Sequence, residues 1–190
     1  MRFILASASP RRAEILRNAG FSFEVYPTDI DESRQFGEEP AAFVVRLARE
    51  KAAAAAQQVD GGALVLGGDT IVVANELVMG KPRDAHEAAA MLRDLSGRGH
   101  RVLTGIALLR LPDRKMLTAV EETRVFFAPL TEKDVNVYVA TEEPFGKAGA
   151  YAIQGYCRRF IARIEGDYWN VVGLPLSRFQ KMLREMGRLQ

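Results

Sequence analysis

The chain is poor in the residues that most metal and redox sites use. In 190 residues it has one cysteine, Cys157, two histidines, His86 and His100, and one tryptophan. A single cysteine excludes an internal disulfide and fits a reducing compartment. Two histidines and one cysteine fall short of an ordinary zinc site. Nothing around Cys157 in the sequence marks a base partner for a thiolate nucleophile. No G-x-x-x-x-G-K-[ST] and no G-x-G-x-x-G occurs, which excludes the P-loop and the dinucleotide fingerprint. No apolar run approaches the roughly 20 residues of a spanning helix, and Phe3 to Ala6 is too short for a secretory signal core. Charge of one sign is lacking too. The 26 basic and 24 acidic residues leave a net charge of +2, too little for nucleic-acid binding by bulk charge. The expectation is a cytoplasmic enzyme or binding domain with no membrane or nucleic-acid partner.

What is present is an ordinary globular composition, 48% hydrophobic and 26% charged. The length predicts a single domain over 1–190, large enough to bury roughly 70% of its unfolded surface. Phe3 to Ala6 reads as a buried strand, and Ser9 caps a helix that begins at Pro10, with Gly20 at its end. Phe23 to Tyr26 alternates like a strand. From Pro40 to about Gln58 the apolar spacing is helical, and the alanine run 52–56 favours it. Leu64 to Leu66 reads as a strand ending in Gly67-Gly68, with "TIVV" resuming extended. Asn75-Glu76 turns into Leu77 to Met79, and Asp84 caps a helix closing at Ser96-Gly97. Residues 101–109 and 116–127 are strands joined at "LPDRK". Thr131 and Asp134 form a capping box for a helix to about Ala140. Residues 142–155 read as irregular, a strand covers Phe160 to Ile164, and Pro175 opens the last helix. Helical crossovers and hairpins together predict an α/β fold around a mixed sheet.

The chemistry collects where strands end. "LASASPRRAEIL" hands a strand to a helix N-terminus, whose unpaired N–H groups and dipole suit an anion. Arg11 and Arg12 in that first turn oppose the helix's own dipole, so they are candidates to face an anion rather than serve the helix. Asp69 and Thr70 follow an apolar strand, a position where α/β folds collect ligands; an aspartate there can hold a cation or accept a proton from water. Lys81 sits rigidly between Gly80 and Pro82. Lys51 lies on a helix beside apolar positions, its stem able to be buried while its ammonium snorkels toward a cleft. The loop "TDIDESRQFGEEP" offers Asp29, Asp31 and Glu32 as oxygen donors to Mg²⁺. Tyr151, Tyr156, Tyr168 and Trp169 fit a core or pocket wall better than a base-stacking platform.

In order along the chain, "SASPRR", "REKA", "GGDTIV", "GKP", "LSGRGHRVLTG", "EETRVFF", "KAGAYAIQG" and "NVVGLPL" resemble the Maf family of nucleoside triphosphate pyrophosphatases. The match runs from about Leu5 to Leu176. The resemblance implies an inosine triphosphate pyrophosphatase-like mixed sheet flanked by helices, in two lobes around a central cleft. It implies cleavage of a nucleoside triphosphate to monophosphate and pyrophosphate with a divalent cation, Mg²⁺, Mn²⁺ or similar. "PRR" with "AYAIQG" is similar to the branch acting on dTTP and UTP. By position, the family's catalytic acid falls on Asp69. Its selectivity residues fall on Arg12, Thr70 and Gln154. Phosphate contacts fall on Ser7, Arg11, Lys51 and Lys81, and metal ligation on Glu32 and Asp69. Gly68 stands where alanine is usual, and Gly146 where aspartate often precedes "KAGAY", beside Lys147. A homodimer stays open as an assembly. The alternative is a non-catalytic nucleotide-binding regulator of cell division; the joint presence of Asp69, Glu32 and the cationic set favours the enzyme.

Overall fold

In a computed structural model, described over residues 1–187, the elements alternate as the sequence pattern predicts. Strands are β1 (Arg2–Ala6), β2 (Glu24–Val25), β3 (Ala63–Ala74), β4 (Leu77–Met79), β5 (Gly99–Arg110), β6 (Met116–Phe127) and β7 (Ile161–Glu165). Helices are α1 (Pro10–Asn18), α2 (Pro40–Ala56), α3 (Ala85–Leu95), α4 (Glu132–Val139), α5 (Tyr168–Val172) and α6 (Leu176–Glu185). The sheet is mixed. Its order is β2-β1-β3-β5-β6-β7, with β4 on β3. β1 runs parallel to β2 and β3, while β3–β4 and β6–β7 are antiparallel.

The chain forms two compact units, and β3, β5 and β6 each pass from one to the other, β3 after Asp69. In the first unit, side-chain alternation along β1 sorts the core. Ile4 and Ala6 pack with Ala48, Ala52, Ala55 and Ala56 of α2 and with Val65 and Ala107. Phe3 points to the other face, stacked on Phe179 of α6 with ring centroids 5.7 Å apart. Ile4 and Val65 each contribute roughly 1.5–3 kcal/mol on burial, and each alanine less. Ser9 caps α1, its hydroxyl accepting from Arg12 N, with Pro10 in the first turn. Gly20 (φ +83°) closes the helix one residue past Ala19, the left-handed position glycine occupies without penalty.

Two expectations change in this unit. Gly67 and Gly68 do not end a strand; β3 runs unbroken through them to Ala74. The reason is packing. A β-carbon at Gly67 would overlap the Ala48 carbonyl oxygen and stand 2.8 Å from Ala52 N. Gly105 on β5 would likewise overlap Val44 O. Glycine here admits the alanine-faced α2 against the sheet rather than turning the chain. β2 is also shorter than Phe23 to Tyr26, its ladder register limited to Glu24 and Val25, with Tyr26 N donating to Leu5 O at 3.0 Å just beyond it.

In the second unit, Asp84 caps α3 and the Thr131–Asp134 capping box closes reciprocally on α4. Asn75 and Glu76 both take positive φ (49° and 61°) in the β3–β4 hairpin, the conformation a tight hairpin turn demands. The stretch read as irregular, 142–155, holds one short 3-10 turn, Ala148–Ala150; a second, Tyr156–Phe160, follows it, so the strand begins at Ile161 rather than Phe160, and α5 is an element the sequence pattern does not mark. His100, Phe127 and Tyr151 form an edge-to-face trio at 5.1–5.3 Å. Tyr151 is buried as expected, whereas Tyr168 and Trp169 stay 39% and 37% exposed.

Candidate active site

The first unit gathers Ser7, Arg12, Glu32, Lys51 and Asp69. β1 ends at Ala6, so Ser7 begins the turn into α1 and is buried. Its hydroxyl accepts from Ser9 N at 3.2 Å and from Arg12 Nη1 at 3.0 Å. Arg12 is buried at 8% exposure, and its Nε donates to the Gly173 carbonyl at 2.8 Å. Arg11, half-buried beside it, acts on Arg12 through charge. Burial pushes the Arg12 guanidinium below its ordinary value, and Arg11 adds to this, while Asp69 and Glu32 oppose it. An arginine keeps its proton under such pressure, so the cost is met by placing carboxylates near it.

Lys51 is the hub of the cluster. Its Nζ lies 2.7 Å from Asp69 Oδ1 and 2.6 Å from Glu32 Oε1. The residue is 7% exposed, its ammonium clamped between two carboxylates. α2 presents it at the buried stripe, and β3 delivers Asp69 immediately after the two glycines that admit α2. Glu32 comes from the loop before α2, with its side chain 47% exposed. Asp31 stays on that loop, accepting from Ser33 N and Oγ, and Asp29 is exposed there too.

Sequence reasoning missed two parts. Arg46 ties the acidic loop to α2 through both Glu38 carboxylate oxygens, the Ser33 carbonyl and Glu50, and its hydrogen bonds hold the Glu38 carboxyl below its ordinary value. Its (i, i+4) pairing with Glu50 was legible; its reach to the loop was not. The Gly173 carbonyl carries no sequence signal as a partner for Arg12. Gly68 acquires a reason here, since a β-carbon would sit 3.1 Å from Arg12 Nε. Glycine leaves that guanidinium a few tenths of an ångström.

The second unit carries Thr70, Lys81, Lys147 and Gln154. Thr70 follows Asp69 within β3 and is half-buried. Lys81 is exposed on the loop after β4. Gly149 N donates to Gly80 O at 3.1 Å, which joins the Lys81 loop to the segment bearing Lys147. Lys147 Nζ donates to Phe145 O at 3.3 Å. Gly146 has φ +72° with open space around it, a conformation that aspartate also tolerates. Gln154 is exposed at the tip of a turn. Among the described residues, no group of three or more His, Cys, Asp or Glu side chains gathers as a metal cage.

The sequence profile of the family described as Maf-like protein matches residues 2–186. The chain belongs to the Maf family. This Maf-like chain is 50% identical over 184 residues to a protein of Pelotomaculum thermopropionicum named dTTP/UTP pyrophosphatase, covering 97% of this chain and 96% of the relative. A protein of the same name from Symbiobacterium thermophilum is 52% identical over 186 residues, covering 98% and 94%. Among solved structures, the Ham1 protein of Staphylococcus aureus aligns with a TM-score of 0.51 at 13% identity, over 98% of this chain and 100% of that one. That likeness shows a shared fold: a mixed sheet flanked by helices.

Proposed function

We propose that this Maf-family chain is a nucleoside triphosphate pyrophosphatase that converts dTTP and UTP to the monophosphate and pyrophosphate. The carrying observation is the pair of carboxylates, Glu32 and Asp69, that meet on the Lys51 ammonium, with buried Arg12 and Ser7 joined in the same unit. Full-length likeness to two proteins named dTTP/UTP pyrophosphatase supports the substrate.

Two carboxylates within one ammonium's reach are a hard oxygen donor set. They suit Mg²⁺ or Mn²⁺, which take one or two carboxylates and complete their shell with phosphate oxygens and water. Such a cation, when bound, polarises a phosphoryl oxygen and screens the leaving charge. Asp69 accepts the proton of the water that attacks the α-phosphorus. The new bond joins water oxygen to α-phosphorus, the bond to the bridging β-oxygen breaks, and pyrophosphate leaves. Lys51, released from the carboxylates, neutralises phosphate charge together with Ser7, Arg11 and Lys81. Arg12, Thr70 and Gln154 read the base. The Gln154 amide donates to O4 and accepts from N3–H of a uracil or thymine, a pattern cytosine reverses at both atoms. Among the described residues no helix is long and apolar enough to cross a membrane. A cytoplasmic setting and a homodimeric assembly belong to the same proposal.

The test is pyrophosphate release from dTTP, UTP, CTP and GTP with Mg²⁺ present. The expected outcome is preference for dTTP and UTP, with pyrophosphate as product and Asp69→Asn slower by at least about 10²-fold. Orthophosphate as the product would refute attack at the α-phosphorus. Binding without turnover would make the chain a sensor.

A further inference from the structure

We infer that Glu143 is the positioning residue for Gln154, because its carboxylate clamps the backbone of the turn that presents the glutamine. The inference rests on the proposed reading of Gln154 as a base-selecting side chain.

Gln154 occupies a four-residue turn, Ala152 to Gly155, closed by Gly155 N donating to Ala152 O at 3.2 Å. Ile153 is buried at 4% exposure and anchors the turn, while Gln154 projects outward. Both flanks of the turn are fixed by one network. After it, Tyr156 N donates to Glu143 Oε2 at 2.8 Å and Cys157 N to Oε1 at 3.4 Å. Before it, Ala152 N donates to the Tyr138 hydroxyl at 3.2 Å, and that hydroxyl donates to Glu143 Oε1 at 2.8 Å. Tyr138 is fully buried, and burial above all pushes its hydroxyl far up, so it stays a donor to the carboxylate. Gly155 makes the approach feasible: a β-carbon there would overlap the Glu143 carboxylate. Tyr156, stacked on Tyr138 and covered by Arg159 at 3.6 Å, locks the exit.

An exposed amide loses much of its selectivity when its backbone wanders, because base recognition depends on sub-ångström placement. A carboxylate accepting backbone amides is among the stronger hydrogen-bonding arrangements. Glu143→Gln keeps the shape but turns an NH₂ toward a donor.

The experiment has three arms. Glu143→Gln should lower the dTTP and UTP preference over CTP by about 10-fold or more, as Gln154→Ala does, and the double variant should lose no further selectivity. Multiplying losses, or an equal fall on all four nucleotides, would overturn the inference. Tyr138→Phe keeps the ring stack and removes only the hydroxyl; it should shift selectivity in the same direction by a few fold, and unchanged selectivity would count against the network. Amide hydrogen exchange on nucleotide-free protein probes the clamp without the reaction. Tyr156 and Cys157 amides should exchange at least about 10-fold faster in Glu143→Gln, and unchanged protection would overturn the clamp. Wild-type protein without preference for dTTP and UTP over CTP would instead strike the functional reading on which the inference rests.

Discussion

Lys51 and Asp69 form a buried ion pair at 2.7 Å, and the same ammonium holds Glu32 at 2.6 Å. One positive charge therefore keeps two carboxylates together. Removing it leaves like charges facing each other in a half-buried site. Lys51→Met is expected to lose about 2 kcal/mol of stability, reduced from the cost of a fully buried pair because Glu32 is half exposed. Millimolar Mg²⁺ should restore part of that loss, raising Tm by about 3 °C more than in wild type. Equal Mg²⁺ responses in the two proteins would remove Glu32 and Asp69 as a cation pair.

Gly67 marks the closest approach of α2 to the sheet. A methyl group there meets the Ala48 carbonyl and Ala52 N, both helix backbone that cannot swing aside. Gly67→Ala should cost about 3 kcal/mol and lower Tm by roughly 6–12 °C. Gly68→Ala, which meets only the Arg12 side chain, should cost far less. Similar losses in thermal denaturation would refute the packing account.

His100 is 3% exposed, with Nε2 at 2.8 Å from the Tyr151 hydroxyl and no hydrogen-bond partner for Nδ1 among the described residues. Burial pushes its pKa down to about 4 from 6.5. The unfolded chain takes up a proton as pH falls below 6.5, while the folded imidazole does so only near 4. Between those values the unfolded state binds more protons, so stability falls as pH falls, by roughly 3 kcal/mol in all. His100→Gln should flatten that part of the stability–pH curve in urea titrations. An unaltered slope would show that other groups dominate.

Cys157 is buried, and burial pushes its thiol up to about 12. A thiol held protonated is a poor nucleophile. Cys157→Ser should keep kcat/KM within a few fold, since Glu143 holds the Cys157 backbone and not the sulfur. Rapid inactivation of folded wild-type protein by a small thiol reagent, absent in the serine variant, would contradict this.

Local chemistry was enough to read much of the molecule from sequence. Ser9-Pro10, Asp84 and Thr131–Asp134 mark helix starts because capping depends on neighbours a few residues away. The apolar spacing of α2 and the Asn75-Glu76 turn are equally local. The eight ordered fragments carried the family, and so the fold. What the sequence could not decide depends on partners far apart along the chain. Gly67-Gly68 has the signature of a turn, and only the passage of α2 across it makes it strand. Lys51 reads as an ordinary helical lysine until residues 19 before and 18 after it bring carboxylates to its ammonium. Arg12 reads as a candidate anion ligand, and nothing near it in sequence shows that its Nε is tied to the Gly173 carbonyl, 161 residues away. Long-range pairing of charge and backbone is set by packing, and packing leaves no trace in the spacing of either partner alone.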